Sequence, residues 1–275
     1  MRIRWTVPLL ALSVGVACQS DRSCVGDFPL PCYTTESGRY LVQLPDDVSA
    51  PLPVFVYFHG YGGSASGQAR RRVITQPLAS RGVLGVFPDG LQNTWSHVGS
   101  PSQRRDELAF IVEIMDDLER RFDLDPDRRW VSGHSQGGSM AWDAACYRGG
   151  QFSALLPTSG AFWEPLPETC PAGPIPLRHT HGLNDTTVPM EGRGIGGSWE
   201  QGDVNEGVAI WRAVNGCPVE PDRVVEQGPE TCQVWDSSCA SGDDIWLCLH
   251  EGGHSAPDGW AGRALDWAEA EAAAR

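Results

Sequence analysis

The sequence contains few basic residues for its size. Lys and Arg together number 21 against 35 Asp and Glu, which gives a formal net charge of −14 over 275 residues. Nucleic acids and anionic membrane surfaces bind clusters of Lys and Arg. The basic clusters here are short, at residues 70–72, 104–105 and 128–129. We therefore expect no nucleic-acid partner.

The sequence also lacks the usual spacings of metal ligands. It has no Cys-x-x-Cys pair, no His-x-x-His pair and no cluster of histidines with carboxylates. Structural and catalytic zinc sites need such spacings. We therefore expect neither a metal ion nor another cofactor.

No apolar run is long enough to form a permanent transmembrane helix. The longest, residues 5–17, follows Arg2 and Arg4 and is typical of the apolar part of an export signal. Small residues before Cys18 resemble a bacterial lipoprotein cleavage site, in which Cys18 would carry the lipid. Cleavage after Ala17 with simple secretion is the alternative. The sequence predicts a signal peptide at residues 1–17, an N-terminal segment at 18–37 and one domain at 38–275.

The cysteine content agrees with export. Of nine cysteines, eight remain when Cys18 is set aside, and an even number without metal-site spacing predicts four disulfides in an oxidising compartment. Eight cysteines allow about 105 pairings, so we infer the pairing from proximity in the chain. The expected pairs are Cys24–Cys32, Cys146–Cys170, Cys232–Cys239 and Cys217–Cys248.

Apolar runs alternate with helical patterns along the chain. Residues 52–58, 83–87, 129–132, 176–180 and 245–249 are predicted strands, and their continuous apolar character is typical of strands covered on both faces. Residues 106–122, 139–147, 207–214 and 260–274 are predicted helices. Residues 192–202 and 232–244 are interpreted as surface loops. The alternation predicts a single-domain α/β fold with a mainly parallel sheet and helices on both faces.

The stretch GHSQGG at residues 133–138 fits the motif G-x-S-x-G. A nucleophile on a sharp strand-to-helix turn needs glycine neighbours, because larger residues would make the strand and the helix collide. A predicted strand precedes the motif and a predicted helix follows it. We therefore expect Ser135 to be a catalytic nucleophile.

A nucleophilic serine needs a base, and the base needs a carboxylate to orient it. In this topology the acid and then the histidine follow the serine, each after a later strand. Asp185 follows the strand at 176–180 and His254 follows the strand at 245–249, so both fit that order. Asp203 and Asp222, in polar loops without a preceding strand, are interpreted as surface acids, and His250 is interpreted as structural.

Glycines follow the first strong strand, in His59-Gly60-Tyr61-Gly62-Gly63. Such a loop leaves backbone N–H groups free to bind the oxyanion of an acyl-transfer reaction. We expect the N–H groups of Tyr61 and Gln136 to form the oxyanion hole, and His59 to hold the loop by hydrogen bonds.

The motifs FHGYGG, FPDG, RRDELAFIVEIMDDL, GHSQGG, HGLNDTTVP and EGGH, taken together, resemble secreted esterases of the polyhydroxybutyrate depolymerase, feruloyl esterase and acetylxylan esterase group. The resemblance runs from about residue 38 to the C-terminus. It implies an α/β-hydrolase fold and the same triad of Ser135, Asp185 and His254. The Trp-Pro pair common in that group soon after the histidine is absent here.

The sequence therefore predicts a secreted or lipid-anchored serine esterase, acting as a monomer on a small or polymeric ester. Trp95 and Trp163, each in a loop after a strand, are candidate substrate-binding residues, with packing in the core as the alternative for each. A non-catalytic binding lipoprotein and a serine peptidase on the same scaffold remain alternative functions, because a fold alone does not fix a function.

Overall fold

The structure, a computed structural model, describes Cys24 and residues 28–275. The signal peptide expected at residues 1–17 and the lipidation expected at Cys18 lie outside the described residues. The N-terminal segment expected at 18–37 is described only in part.

The described residues form strands and helices in alternation. The strands are β1 (Cys32–Thr34), β2 (Arg39–Gln43), β3 (Leu52–Phe58), β4 (Leu84–Pro88), β5 (Leu124–His134), β6 (Ala154–Thr158), β7 (Leu177–Gly182), β8 (Arg193–Ile195), β9 (Trp199–Gln201), β10 (Arg223–Gln227), β11 (Glu230–Trp235) and β12 (Ile245–His250). The helices are α1 (Ala65–Ala69), α2 (Arg72–Ser80), α3 (Glu107–Arg121), α4 (Gln136–Arg148), α5 (Val204–Asn215) and α6 (Trp260–Ala274). Within the part of the chain that the structure describes, no helix combines the length and apolarity needed to cross a bilayer.

Ten strands form one sheet in the order β1-β2-β4-β3-β5-β6-β7-β12-β11-β10. The six central strands, from β4 to β12 in that order, pair in parallel, and the strands at both edges pair antiparallel. This confirms the predicted α/β class and its mainly parallel sheet. The sheet begins at β1, before residue 38.

Helices cover both faces of the sheet. In β3, Val54 and Val56 pack with α3, α4 and α5 in one apolar core, whereas Phe55 and Tyr57 pack with α2 and α6 in a second core on the other face. Burial of every β3 side chain explains why this strand is a continuous apolar run in the sequence.

Two segments expected to be loops contain strands. Residues 192–202 include the hairpin of β8 and β9, closed by glycines in the left-handed region at Gly196 and Gly197. Residues 232–244 overlap β11, which pairs with β10 and β12 at the sheet edge. The first expectation is wrong because β8 and β9 are short, partly exposed strands without an apolar run. The second is wrong because β11, although mostly buried, lacks a continuous apolar run and forms through pairing with β10 and β12.

Four disulfides join the eight cysteines, and two of the expected pairings are wrong. Cys24–Cys32 and Cys146–Cys170 are confirmed, but the other two bonds are Cys217–Cys239 and Cys232–Cys248. Cys232 and Cys248 lie directly opposite each other in the β11–β12 register. Antiparallel pairing therefore brings them together, and Cys239, in the turn between those strands, reaches the chain after α5.

Candidate active site

Ser135 lies on the sharp turn between β5, which ends at His134, and α4, which begins at Gln136. Its backbone has φ 59° and ψ −128°, a strained conformation for a residue with a side chain. A β-carbon on Gly133 would overlap the Gly137 carbonyl, and a β-carbon on Gly137 would overlap the Phe58 carbonyl. The flanking glycines thus allow the strand, the turn and the helix to pack closely.

The three residues expected to form the triad are in contact. His254 Nε2 lies 2.8 Å from Ser135 Oγ, and His254 Nδ1 lies 2.7 Å from Asp185 Oδ2. Asp185 follows β7 and His254 follows β12, and these neighbouring parallel strands end side by side. The Asp185 side chain is fully buried, whereas that of His254 is 22% exposed. In this arrangement His254 can accept the proton of the Ser135 hydroxyl, and Asp185 can stabilise the imidazolium that results.

Asp185 is held in its charged form by several donors. Burial alone would raise its pKa, but the backbone N–H of Val188, the imidazole of His254 and the backbone N–H of Thr187 together lower the pKa below its ordinary value. Its Oδ1 accepts the Thr187 and Val188 N–H groups at 2.8 and 2.9 Å, which leaves Oδ2 for His254. The carboxylate therefore stays ionised and oriented.

Two buried histidines that the sequence reasoning missed lie behind this carboxylate. Trp142 Nε1 donates to His179 Nδ1, His179 Nε2 lies 2.9 Å from His181 Nδ1, and His181 Nε2 lies 2.8 Å from the Val188 carbonyl. The tryptophan donor and the carbonyl acceptor require the N–H of both rings to be on Nε2. Burial lowers the pKa of both histidines, so both are neutral. The sequence HTHG shows both histidines at alternate positions of a strand, which places them on one face.

The expected oxyanion loop lies against the serine. A β-carbon on Gly60 would be 3.3 Å from Ser135 Cβ and 3.8 Å from its Oγ, so the peptide leading to Tyr61 borders the hydroxyl. Among the hydrogen bonds of residues 28–275, neither the Tyr61 N–H nor the Gln136 N–H has a protein acceptor. Their role as oxyanion donors stays a prediction.

His59 holds the loop by hydrogen bonds. Its Nε2 accepts the Gly90 N–H at 2.9 Å, so its Nδ1 carries the proton that it donates to the Gly60 carbonyl at 2.8 Å. Burial lowers the pKa of His59, which keeps the ring neutral. These two hydrogen bonds agree with the expectation that His59 holds the loop in place.

Trp95 is not at the surface of the site, and the expectation that it contacts substrate is corrected by its burial. It has no exposed surface, its Nε1 donates to the His59 carbonyl at 2.7 Å, and its ring packs edge-on against Phe58. The side chain therefore supports the start of the loop at residues 59–63. Trp163 is 7% exposed and stacks near His97, so packing dominates there too, and its contact with substrate stays a prediction.

The competing acids and histidine have structural partners. Asp203 caps α5 by accepting the N–H groups of Asn205 and Glu206. Asp222 accepts three consecutive N–H groups, those of residues 236–238. The hydrogen bond from the Ser238 side chain, followed by that from the Ser237 backbone, lowers the pKa of Asp222 to about 2. His250 is buried at the end of β12, where its Nδ1 accepts the Gly252 N–H at 3.0 Å. None of the three touches Ser135.

Comparison with known proteins identifies related sequences. The model of the family Esterase, described as "Putative esterase", matches residues 34–203, more than half of the chain. A protein named "Probable feruloyl esterase C" from Aspergillus niger is 30% identical over 167 residues, which cover 57% of this chain and 58% of that protein. "Feruloyl esterase B" from Piromyces equi is 25% identical over 244 residues, or 82% of this chain and 44% of that protein. The chain thus spans about half the length of the curated relatives it matches.

A solved structure shares the fold. An acetyl xylan esterase from Aspergillus awamori superimposes with a TM-score of 0.61 over 89% of this chain and 96% of that protein, at 15% sequence identity. At that identity the likeness concerns the fold, and it confirms the α/β-hydrolase architecture expected from the sequence.

Proposed function

The chain belongs to this Esterase family, and from that premise we propose that it is a serine esterase that hydrolyses carboxylic esters through an acyl-enzyme on Ser135. The observation that carries the proposal is the continuous hydrogen-bonded chain from Ser135 through His254 to Asp185. The turn geometry of Ser135 supports it, because strain of this kind at an exposed nucleophile is typical of the fold.

The first half of the reaction forms the acyl-enzyme. Ser135 Oγ attacks the ester carbonyl while His254 Nε2 accepts its proton, and Asp185 stabilises the imidazolium. The negative charge that develops on the carbonyl oxygen is bound by the N–H groups of Tyr61 and Gln136, and each such donor is worth about 100-fold or more in rate. His254 then returns the proton to the alkoxide, and the alcohol leaves.

The second half restores the free enzyme. A water molecule gives a proton to His254 and attacks the acyl carbonyl, and the tetrahedral intermediate collapses to release the carboxylic acid. Ser135 regains its proton from His254, so the cycle consumes one water and one ester for each acid and alcohol. No step needs a metal ion or another cofactor.

The relatives guide the choice of substrate. Two of them are named feruloyl esterases, so feruloyl esters are the first substrates to test, with acetyl-polysaccharide and polyhydroxyalkanoate esters next. The loop beside the serine supports an open site, because Tyr61 in that loop is 80% exposed. An open site admits a bulky or polymeric ester.

We place the protein outside the cytoplasm. Four disulfides in a chain of this size are typical of an oxidising compartment. The same proposal includes an export signal at residues 1–17. After export the protein is either anchored by a lipid on Cys18 or secreted freely.

Labelling with a fluorophosphonate tests the nucleophile directly. The probe should modify the purified protein at one serine, and Ser135→Ala should abolish the label, whereas Ser80→Ala on exposed α2 should keep it. Hydrolysis rates are then compared for acetyl, butyryl, feruloyl and hydroxybutyrate esters and for a peptide anilide. The comparison identifies the substrate class. A folded protein that takes no label and cleaves no ester would contradict the proposal.

A further inference from the structure

Within the described part of the chain, Arg71 carries a positive charge with no carboxylate paired to it. Nearby arginines pair with acids, such as Arg81 with Asp266 and Arg39 with Asp89. Among the ion pairs of residues 28–275, none involves Arg71.

The neighbours of Arg71 in the sequence have other contacts. The Arg70 guanidinium lies 4.8 Å from the centre of the Phe28 ring. The Arg72 guanidinium lies 3.5 Å from the Gln76 side chain, on the neighbouring surface of α2. Arg71 precedes α2 at its N-cap position, without a side-chain hydrogen bond to the helix. With no partner among residues 28–275, its guanidinium is available to an external anion.

A pocket of about 280 Å³ is lined by both Arg71 and His254, the histidine of the proposed triad. It lies between α2 and the loop that follows His254, and His254 itself forms part of its wall. Its floor is aromatic, because Tyr57 and Trp260 pack edge to face with ring centres 6.5 Å apart. The lining of the pocket includes Tyr57, Arg71, Ile74, His134, His254 and Trp260.

Arg71 is the cation of this pocket. Burial, together with the charges of His254 and Arg71, lowers the pKa of His134 to about 4, so His134 is neutral in ordinary buffers. Burial raises the pKa of Tyr57 to about 12, and Tyr57 is neutral too. The lining residues include one carboxylate, the exposed Asp258, which makes no ion pair with Arg71. The pocket thus offers a guanidinium above an apolar floor.

The position of the pocket indicates which half of the ester it binds. His254 must return its proton to the departing alkoxide, so the alcohol has to lie against the imidazole. The pocket is walled by that imidazole, whereas the oxyanion loop at Gly60 lies against Ser135. The alcohol half of the substrate therefore enters the pocket.

We propose that this pocket binds an alcohol that carries a carboxylate and that Arg71 pairs with this carboxylate. The substrate class is then an ester formed on the hydroxyl of a hydroxycarboxylic acid whose own carboxyl group is free. The guanidinium suits this partner, because it binds a carboxylate through two parallel N–H donors. This inference rests on the proposed esterase function and adds the chemistry of the leaving group.

Two matched esters test it. Para-acetoxybenzoate and its methyl ester share the acetyl group and differ in the charge of the released phenol. The measured quantity is the ratio of kcat/KM for the anionic ester to that for the neutral ester. Arg71→Gln should lower this ratio about 5- to 10-fold, the size of a partly exposed charged hydrogen bond. Arg71→Lys should restore part of it, and added salt should lower the ratio in the wild type.

Arg72→Gln is the matched control, because it removes the same charge one residue away and outside the pocket. It should leave the ratio unchanged. An equal fall in Arg71→Gln and Arg72→Gln, or no fall in either, would overturn the inference. So would an effect of Arg71→Gln confined to esters that carry the carboxylate on the acyl half, such as para-nitrophenyl hemisuccinate compared with the butyrate. A wild-type protein that cleaves neither acetoxybenzoate contradicts the esterase function instead.

Discussion

His181 Nε2 lies 3.5 Å from Asp185 Oδ2, so the proposed catalytic acid contacts a second histidine besides His254. The same nitrogen donates to the carbonyl of Val188, whose own N–H donates to Asp185 Oδ1. His181 therefore holds the short segment that fixes the carboxylate. It is a positioning residue, since it acts on the reaction through Asp185.

Replacement of His181 should lower turnover more than it lowers substrate affinity. His181→Leu removes the donor to Val188, and a small displacement of the carboxylate can cost about 10- to 100-fold in kcat. The control is His97→Leu, which breaks another buried histidine–carboxylate pair, the 2.7 Å contact with Asp143. Steady-state kinetics and thermal melts of both variants are the measurements. Equal losses of kcat in the two variants would contradict a specific role of His181 in positioning Asp185.

The choice of Asp185 as the acid is tested against its competitors. Asp185→Asn keeps the shape of the side chain but favours the wrong tautomer of His254, and we expect kcat to fall about 10⁴-fold. Asp203→Asn and Asp222→Asn change acids that accept hydrogen bonds within a helix cap and a turn, and both should retain activity. Full activity in Asp185→Asn would refute the triad.

The sequence predicts best those elements whose local pattern is strong. The continuous apolar run at residues 52–58 agrees with β3 to the residue, and the helical pattern at residues 260–274 agrees with α6. By contrast β6, β10 and β11 escape prediction, because β6 contains only a short apolar run before Pro157, and β10 and β11 contain no long one. Their positions depend on pairing with distant strands, which local patterns do not encode.

The residues of the proposed site also differ in how far local sequence patterns predict them. Ser135, Asp185 and His254 can be found because strand order and flanking glycines leave a local signature. The burial of Trp95 has no such signature, because it depends on packing against Phe58 and on a hydrogen bond to His59. The positioning role of His181 has no local signature, since it depends on a contact across the turn that contains Asp185.

The flanking glycine of the nucleophile turn predicts a loss of stability on substitution. A β-carbon on Gly137 would overlap the Phe58 carbonyl, so Gly137→Ala forces β3 and α4 apart. Overpacking of this kind costs about 1–3 kcal/mol. Gly150→Ala is the control, because nothing lies within 4 Å of its β-carbon position. Urea unfolding of both variants measures the difference, and equal midpoints would contradict the close packing.

The disulfide connectivity predicts the peptides of a non-reducing digest. One linked peptide should contain Cys232 and Cys248, and another should contain Cys217 and Cys239. Cys232→Ala with Cys248→Ala should lower the free energy of unfolding by about 3 kcal/mol, as expected for a closed loop of this length. Recovery of a Cys232–Cys239 peptide would instead support the pairing of nearest neighbours in the sequence.

The last prediction concerns stability at alkaline pH. Burial raises the pKa of Glu271 to about 8, and the charge of Asp244 beside it acts in the same direction. A carboxyl group with a raised pKa binds its proton more tightly in the folded state. Its contribution is present below its unfolded pKa and is lost as the pH rises through about 8. Glu271→Gln mimics the protonated form, so its melting temperature should exceed that of the wild type at pH 9 and match it at pH 4. Glu269→Gln, on the same helix, should show no such pH-dependent gain, and parallel curves for Glu271→Gln and the wild type would contradict the coupling.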